Sequence, residues 1–165
     1  MTTDASTSKN VSEPQLTLTP YFAAIDAAGA IEFYKNVFGA VEIGARIADG
    51  NGVVGHATLQ IGNSQFSIAE EYGNADMRQY PRSPQTLNHT TMGLALMVDD
   101  VDAIMQRAER AGATILTRPE NQFYGHRTCR LLDPYQHLWH LATVVEDVSD
   151  EEMLRRAEQY YKDNQ

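Results

Sequence analysis

Apolar and small residues alternate with polar ones from Leu16 to Ile25, the period of a strand. The period then lengthens: Ile31, Tyr34 and Phe38 fall at helical spacing within Ala27–Phe38, behind Asp26 as N-cap and ahead of Gly39 as stop. Val41–Ile47 reads as a second strand. The hairpin dipeptides Asp49-Gly50 and Asn51-Gly52 predict that Val53–Ile61 returns antiparallel. Gly62-Asn63-Ser64 turns the chain into a fourth strand, Gln65–Glu71, giving the order βαβββ. From Tyr72 to Thr91, Pro81, Pro84, Asn74 and Asn88 interrupt any period, marking a connection of a length that is often functional or mobile.

The same order then restarts. Gly93–Val98 is a strand, Val101–Ala111 a helix stopped at Gly112, and Thr114–Thr117 a strand. Gly125–Leu132 and His137–Val144 follow, joined by the turn Asp133-Pro134-Tyr135-Gln136. Three anchors align the halves: Phe38-Gly39-Ala40 with Ala111-Gly112-Ala113, Gly55-His56 with Gly125-His126, and Phe66-Ser67-Ile68 with Trp139-His140-Leu141. Such internal similarity signals a duplicated supersecondary unit. The predicted class is α+β: two tandem βαβββ modules, about 15–72 and 92–148, forming a cup-shaped mixed sheet within one domain, 15–148. Residues 149–165 form a C-terminal helix, opened by the capping box Ser149-Asp-Glu-Glu152 and striped by Met153, Ala157 and Tyr160 or Tyr161. Residues 1–14 are polar and too poor in apolar surface to offset their ordering entropy, so they are expected to be a disordered tail.

Composition narrows the partners. A formal charge of −9 opposes a phosphate-binding surface, so neither nucleic acid nor an anionic membrane is expected. One cysteine, Cys129, leaves neither an intrachain disulfide nor a thiolate metal cluster. No apolar run reaches membrane-spanning length and the N-terminus lacks the apolar core of a signal peptide, which points to the cytoplasm.

In this frame Thr19-Pro-Tyr21, Ile31-Glu-Phe-Tyr34, Phe38-Gly-Ala40, His56-Ala, Gln122-Phe-Tyr-Gly125, Asp133-Pro134, Ala142-Thr143 and Val145-Glu-Asp-Val-Ser149 resemble the vicinal oxygen chelate superfamily, over about residues 16–148. That is the fold of glyoxalase I, bleomycin-resistance proteins, fosfomycin-resistance enzymes and extradiol dioxygenases, and the matches look most like its PhnB-like subgroup. The resemblance implies that each module curls into half a cup with its helix on the outer face, and that the protein is a homodimer. Strand alternation then turns Tyr21, His56, Thr58, Gln60, Ser67, His126, Thr128, Arg130 and His140 toward the cup, with Tyr124 at its wall. Trp139, Leu141 and Cys129 turn away.

Metal-using relatives draw His or Glu ligands from the first and last strands of each module. The matching positions here are Thr19, Ser67, Gly93 and His140, of which only His140 is an ordinary ligand. A catalytic divalent ion takes about three protein ligands, so no cofactor is favoured. The alternative is an atypical divalent metal site from His56, His126 and His140, joined by Glu70. His126 stands where the subgroup usually has Asp. His89 and His137 are expected to be solvated, and Arg127 with Asp133, or Arg130 with a bound anion, are the charge pairs to look for. Ser67 has no His-Asp companions at readable spacing, and no catalytic residue is assigned. The expected function is binding of an unknown small molecule, to sequester or modify it, without the usual metal. A metal-dependent lyase, isomerase or dioxygenase is the alternative, and a non-catalytic interaction subunit a third.

Overall fold

The structure, a computed structural model, describes residues 18–73 and 79–164; the expected tail and the start of the first predicted strand lie outside them. The described residues form β1 (Tyr21–Ala24), α1 (Ala27–Phe38), β2 (Val41–Ala48), β3 (Val54–Ile61) and β4 (Ser64–Glu70). After α2 (Pro84–Leu87) come β5 (Gly93–Met97), α3 (Val101–Arg110), β6 (Thr114–Asn121), β7 (His126–Leu132), β8 (Leu138–Val144) and α4 (Asp150–Asp163). The tandem βαβββ order and the terminal helix match the sequence pattern. The strands divide between two four-stranded mixed sheets, ordered β1-β4-β3-β2 and β5-β8-β7-β6, with β1/β4 and β5/β8 parallel.

Local chemistry sets the boundaries. Asp26 accepts from Gly29 N–H at 2.8 Å to start α1, and Gly39 ends it at φ 70°, a left-handed conformation that costs glycine little. Two elements differ from the pattern. The single helical turn α2 lies inside the aperiodic connection, begun by buried Ser83, whose hydroxyl accepts from Gln85 N–H. β6 runs on through Pro119 to Asn121, because at a sheet edge, across a register shift between Thr117 and Glu120, the missing proline N–H breaks no ladder.

The helix-bearing faces of the two sheets meet in one core. Phe22 and Phe66 from the first module and Tyr34 and Phe38 from α1 surround Trp139 of the second, with ring centroids 4.6–6.4 Å apart. At its centre Asp133, with no exposed surface, accepts from Tyr34 O–H (2.8 Å), Trp139 Nε1–H (3.0 Å) and the N–H groups of Tyr135 and His137 (both 2.9 Å). This corrects two expectations. His137 is buried, not solvated, because Asp133 draws its backbone inward and its ring stacks on Phe22 at 5.0 Å. Arg127 pairs with Asp102 at 2.7 Å rather than with Asp133, since α3 presents Asp102 to the helix-bearing face of β7 while Asp133 is engaged elsewhere.

α4 begins as predicted, with Ser149 accepting from Glu152 N–H at 3.3 Å. The reciprocal half of the capping box is not made: the Glu152 carboxylate turns to Arg155 and Arg156, each at 2.7 Å. Arg156 ties the helix to the domain through Glu146 (2.7 Å) and the Phe123 carbonyl (3.2 Å).

Two outcomes follow from these bonds. Asp133→Ala leaves four donors, three of them in buried bonds, without their acceptor and should destabilise the fold by about 4 kcal/mol, against about 1 kcal/mol for Tyr34→Phe; urea unfolding followed by Trp139 fluorescence measures both. The two guanidinium groups hold the Glu152 pKa at about 2, below the usual 4.5. Its contribution is therefore present above pH 4.5 and lost as pH falls toward 2, and an acid titration of α4 helicity that begins to fail well above pH 4.5 would contradict this linkage.

Candidate functional site

Because the helix-bearing faces pack together, the opposite faces point away from each other. Each carries half of the predicted residues. On the first module the register aligns Tyr21, Ser67, Thr58 and Ile43 in one row across β1, β4, β3 and β2. His56 lies beside this row, its ring 5.9 Å from Tyr21 and its Nε2 3.3 Å from the Thr58 hydroxyl. Gln60 accepts from the Gln65 amide at 3.0 Å. On the second module the row is Ala95, His140, Arg130 and Thr117, with His126 further along β7 against the Tyr124 ring at 5.5 Å.

The Arg130–His140 pair defines the chemistry of the second face. Arg130 Nε–H donates to His140 Nδ1 at 3.2 Å, which fixes Nδ1 as an acceptor and puts the ring proton of the neutral imidazole on Nε2. Burial, then the Arg130 charge, lowers the His140 pKa below the ordinary 6.5, so the ring is neutral at pH 7. Nε2 rests over Gly93: a Cβ there would lie 2.7 Å from it. The glycine at a ligand position of metal-using relatives thus makes room for this imidazole.

Within one chain these residues do not make a divalent-metal site. Of the four ligand positions, Thr19, Ser67 and Gly93 offer no imidazole or carboxylate, and at the fourth Nδ1 is taken by a guanidinium whose charge repels a cation. The alternative set is not assembled within a chain, since His56 stands on one face and His126 and His140 on the other. Among the described residues no three His, Cys, Asp or Glu side chains are grouped to hold an ion. Glu70 ends β4 and accepts from Ala27 N–H at 2.6 Å, capping α1.

The first face carries a cavity that the residue pattern did not locate. It measures about 320 Å³ and is lined by Tyr21, Ala23, Ala69, Glu70, Tyr72, Tyr80 and Pro81. Ala23 and Ala69 form its floor. Tyr72 and Tyr80, with ring centroids 5.1 Å apart, come from the connection between modules, held down by the Glu71–Arg82 ion pair at 2.7 Å and by Ser83 N–H donating to Glu71 at 2.7 Å. The length of that connection was the sequence signal; its lack of period hid which residues would face inward. A larger cleft, about 770 Å³, lies between the modules beside Phe38, Leu94, Leu96, Ile104 and Trp139 and contains none of the predicted site residues.

The chain belongs to the Glyoxalase/Bleomycin resistance protein/Dioxygenase superfamily, whose sequence profile matches residues 20–141. Uncharacterized proteins of Mycobacterium bovis and Mycobacterium tuberculosis are each 36% identical to it over 140 residues, 82% of this chain and 88% and 79% of theirs. Among solved structures, TioX from a Micromonospora species aligns with a TM-score of 0.59 at 23% identity, covering 81% of this chain and all of that one. A family enzyme from Burkholderia phytofirmans aligns at 0.58 and 24% identity (75% and 94% covered), and the PhnB protein of Bacillus cereus at 0.58 and 19% (78% and 99%). At these identities the structures show the shared fold.

Replacing Arg130 by Gln should raise the His140 titration point while leaving it below 6.5, because burial remains after the charge is removed. Imidazole proton shifts followed by NMR report it; a downward shift would show that Arg130 does not act on His140 as described.

Proposed function

We propose that the protein binds a small compound on these faces, to sequester or modify it, without the divalent metal of its metal-using relatives, and that it sits with the PhnB-like branch of the superfamily. The observation that carries the reading is the donor set: Thr19, Ser67 and Gly93 at three ligand positions, and at the fourth a histidine bonded to Arg130. A cytoplasmic setting suits the single buried thiol of Cys129, whose pKa burial and Asp102 push up to about 11. Among the described residues no helix is long and apolar enough to cross a membrane.

The working form is a homodimer in this reading. Ile43 and Ile47 on the first open face, and Met97 and Val144 on the second, are 41–63% exposed. Apolar residues lying along two outward sheet faces call for a covering surface, and a second copy offering its own open faces supplies one of matching character.

Protein purified without added metal should carry no stoichiometric divalent ion, and Ni, Zn, Mn or Fe should leave its melting temperature unchanged, in the wild type and in His140→Ala alike. One tightly bound ion per subunit, or a metal-induced rise in melting temperature that His140→Ala removes, would overturn the reading in favour of a metal enzyme. Sedimentation should give a particle of two 18.4-kDa chains, reduced to one by Ile47→Glu combined with Met97→Glu. A wild type that stays monomeric at high concentration would refute the dimer.

A further inference from the structure

We infer that the tyrosine-lined cavity on the first module is a site for an organic cation, a compound bearing a quaternary or protonated ammonium group, held between Tyr21, Tyr72 and Tyr80 with Glu70 as its counter-charge. The inference rests on the small-molecule reading above and narrows it to one chemical class.

Four observations converge. Tyr21, Tyr72 and Tyr80 are each about half exposed, at 44%, 48% and 46%, although they line an apolar-floored cavity rather than the outer rim of the fold. Tyrosines kept half open around a hollow offer ring faces, and ring faces attract cations through the π quadrupole. Second, Glu70 is the one carboxylate among the described lining residues, and the bond it accepts from Ala27 N–H goes to Oε2 rather than Oε1. Third, the surroundings are acidic: Asp26 and Asp49 both act on Glu70, adding to burial in raising its pKa against the Ala27 bond. Fourth, no Lys or Arg is among the described residues that line the cavity. Arg82, next in the chain to Pro81, is already neutralised by Glu71 at 2.7 Å and donates to the Tyr72 carbonyl at 3.4 Å.

An anionic ligand finds no basic side chain among the described lining residues, and a neutral apolar one gives Glu70 no charge partner beyond the α1 N-terminus that it caps. A cation satisfies both the rings and the carboxylate. The chain charge of −9 favours its approach as well. A volume of about 320 Å³ admits a trimethylammonium head with a short substituent.

The test compares choline with its neutral isostere 3,3-dimethylbutan-1-ol, by titration calorimetry and by the ring-proton shifts of Tyr72 and Tyr80, on the full chain. Choline is expected to bind about tenfold or more tightly than the alcohol, the ratio that cation–π attraction and a counter-charge supply. Glu70→Gln keeps an oxygen for Ala27 N–H and so keeps the fold; it should shrink the ratio several-fold. Tyr72→Ala with Tyr80→Ala should abolish choline binding, and Tyr72→Phe with Tyr80→Phe should retain it, since the faces and not the hydroxyls hold the cation. Equal binding of the two probes would overturn the cation assignment while leaving the small-molecule reading intact. Choline binding that survives the double alanine change would overturn the site, as would no perturbation of either ring by choline over a millimolar range. The metal and sedimentation results bear on the earlier reading and not on this one.

Discussion

One buried carboxyl group holds the two modules together. Asp133 sits in the turn between β7 and β8 and there binds the turn's own N–H groups, the Trp139 indole and, from the other module, the Tyr34 hydroxyl. The aromatic cluster around Trp139 supplies the area that drives packing. Asp133 supplies the direction, because four donors converging on two oxygens accept one arrangement of α1 against the second sheet. Buried polar groups are costly when unpaired and specific when fully paired, and here the pairing spans ninety-nine positions of sequence between Tyr34 and Asp133.

That constraint explains how much of the molecule the chain pattern reveals. Element type and order follow from local periodicity and caps: Asp26, Gly39 and Ser149 act where they stand. Face assignment follows from alternation, so Trp139 and Cys129 lie in the core and His140 opposite them. What alternation does not carry is which sheet faces which. His137 looks like a turn residue until Phe22, 115 positions earlier, stacks on it. Arg127 has two plausible carboxylates in sequence, and α3 decides between them. Likewise the roof of the cavity comes from Tyr72 and Tyr80, in a stretch whose prolines erase any period, so that only tertiary contact reveals their direction.

The two open faces have the same ancestry in pattern and different chemistry in fact. Where the second module sets an imidazole under a guanidinium, the first sets a serine between a tyrosine and a threonine. The repeat preserves backbone register, with β4 between β1 and β3 as β8 is between β5 and β7, and leaves the outward side chains free to differ. A glycine at position 93 and a histidine at 140 fit each other sterically as diagonal neighbours across one parallel ladder, in which Gly93 pairs with Leu138 and His140 with Ala95.

The back-to-back placement of the sheets has a consequence for how such a protein can change. The side chains that would recognise a compound lie on the sheet faces opposite the aromatic cluster that keeps the chain folded, so each outward surface is a place where substitution is thermodynamically cheap. Drift at Tyr21, Tyr72 or Arg130 can explore new chemistry without drawing on the fold's small stability margin. The architecture thereby separates the part that must be kept from the parts that can be tried, and it holds two independent trial surfaces on one chain.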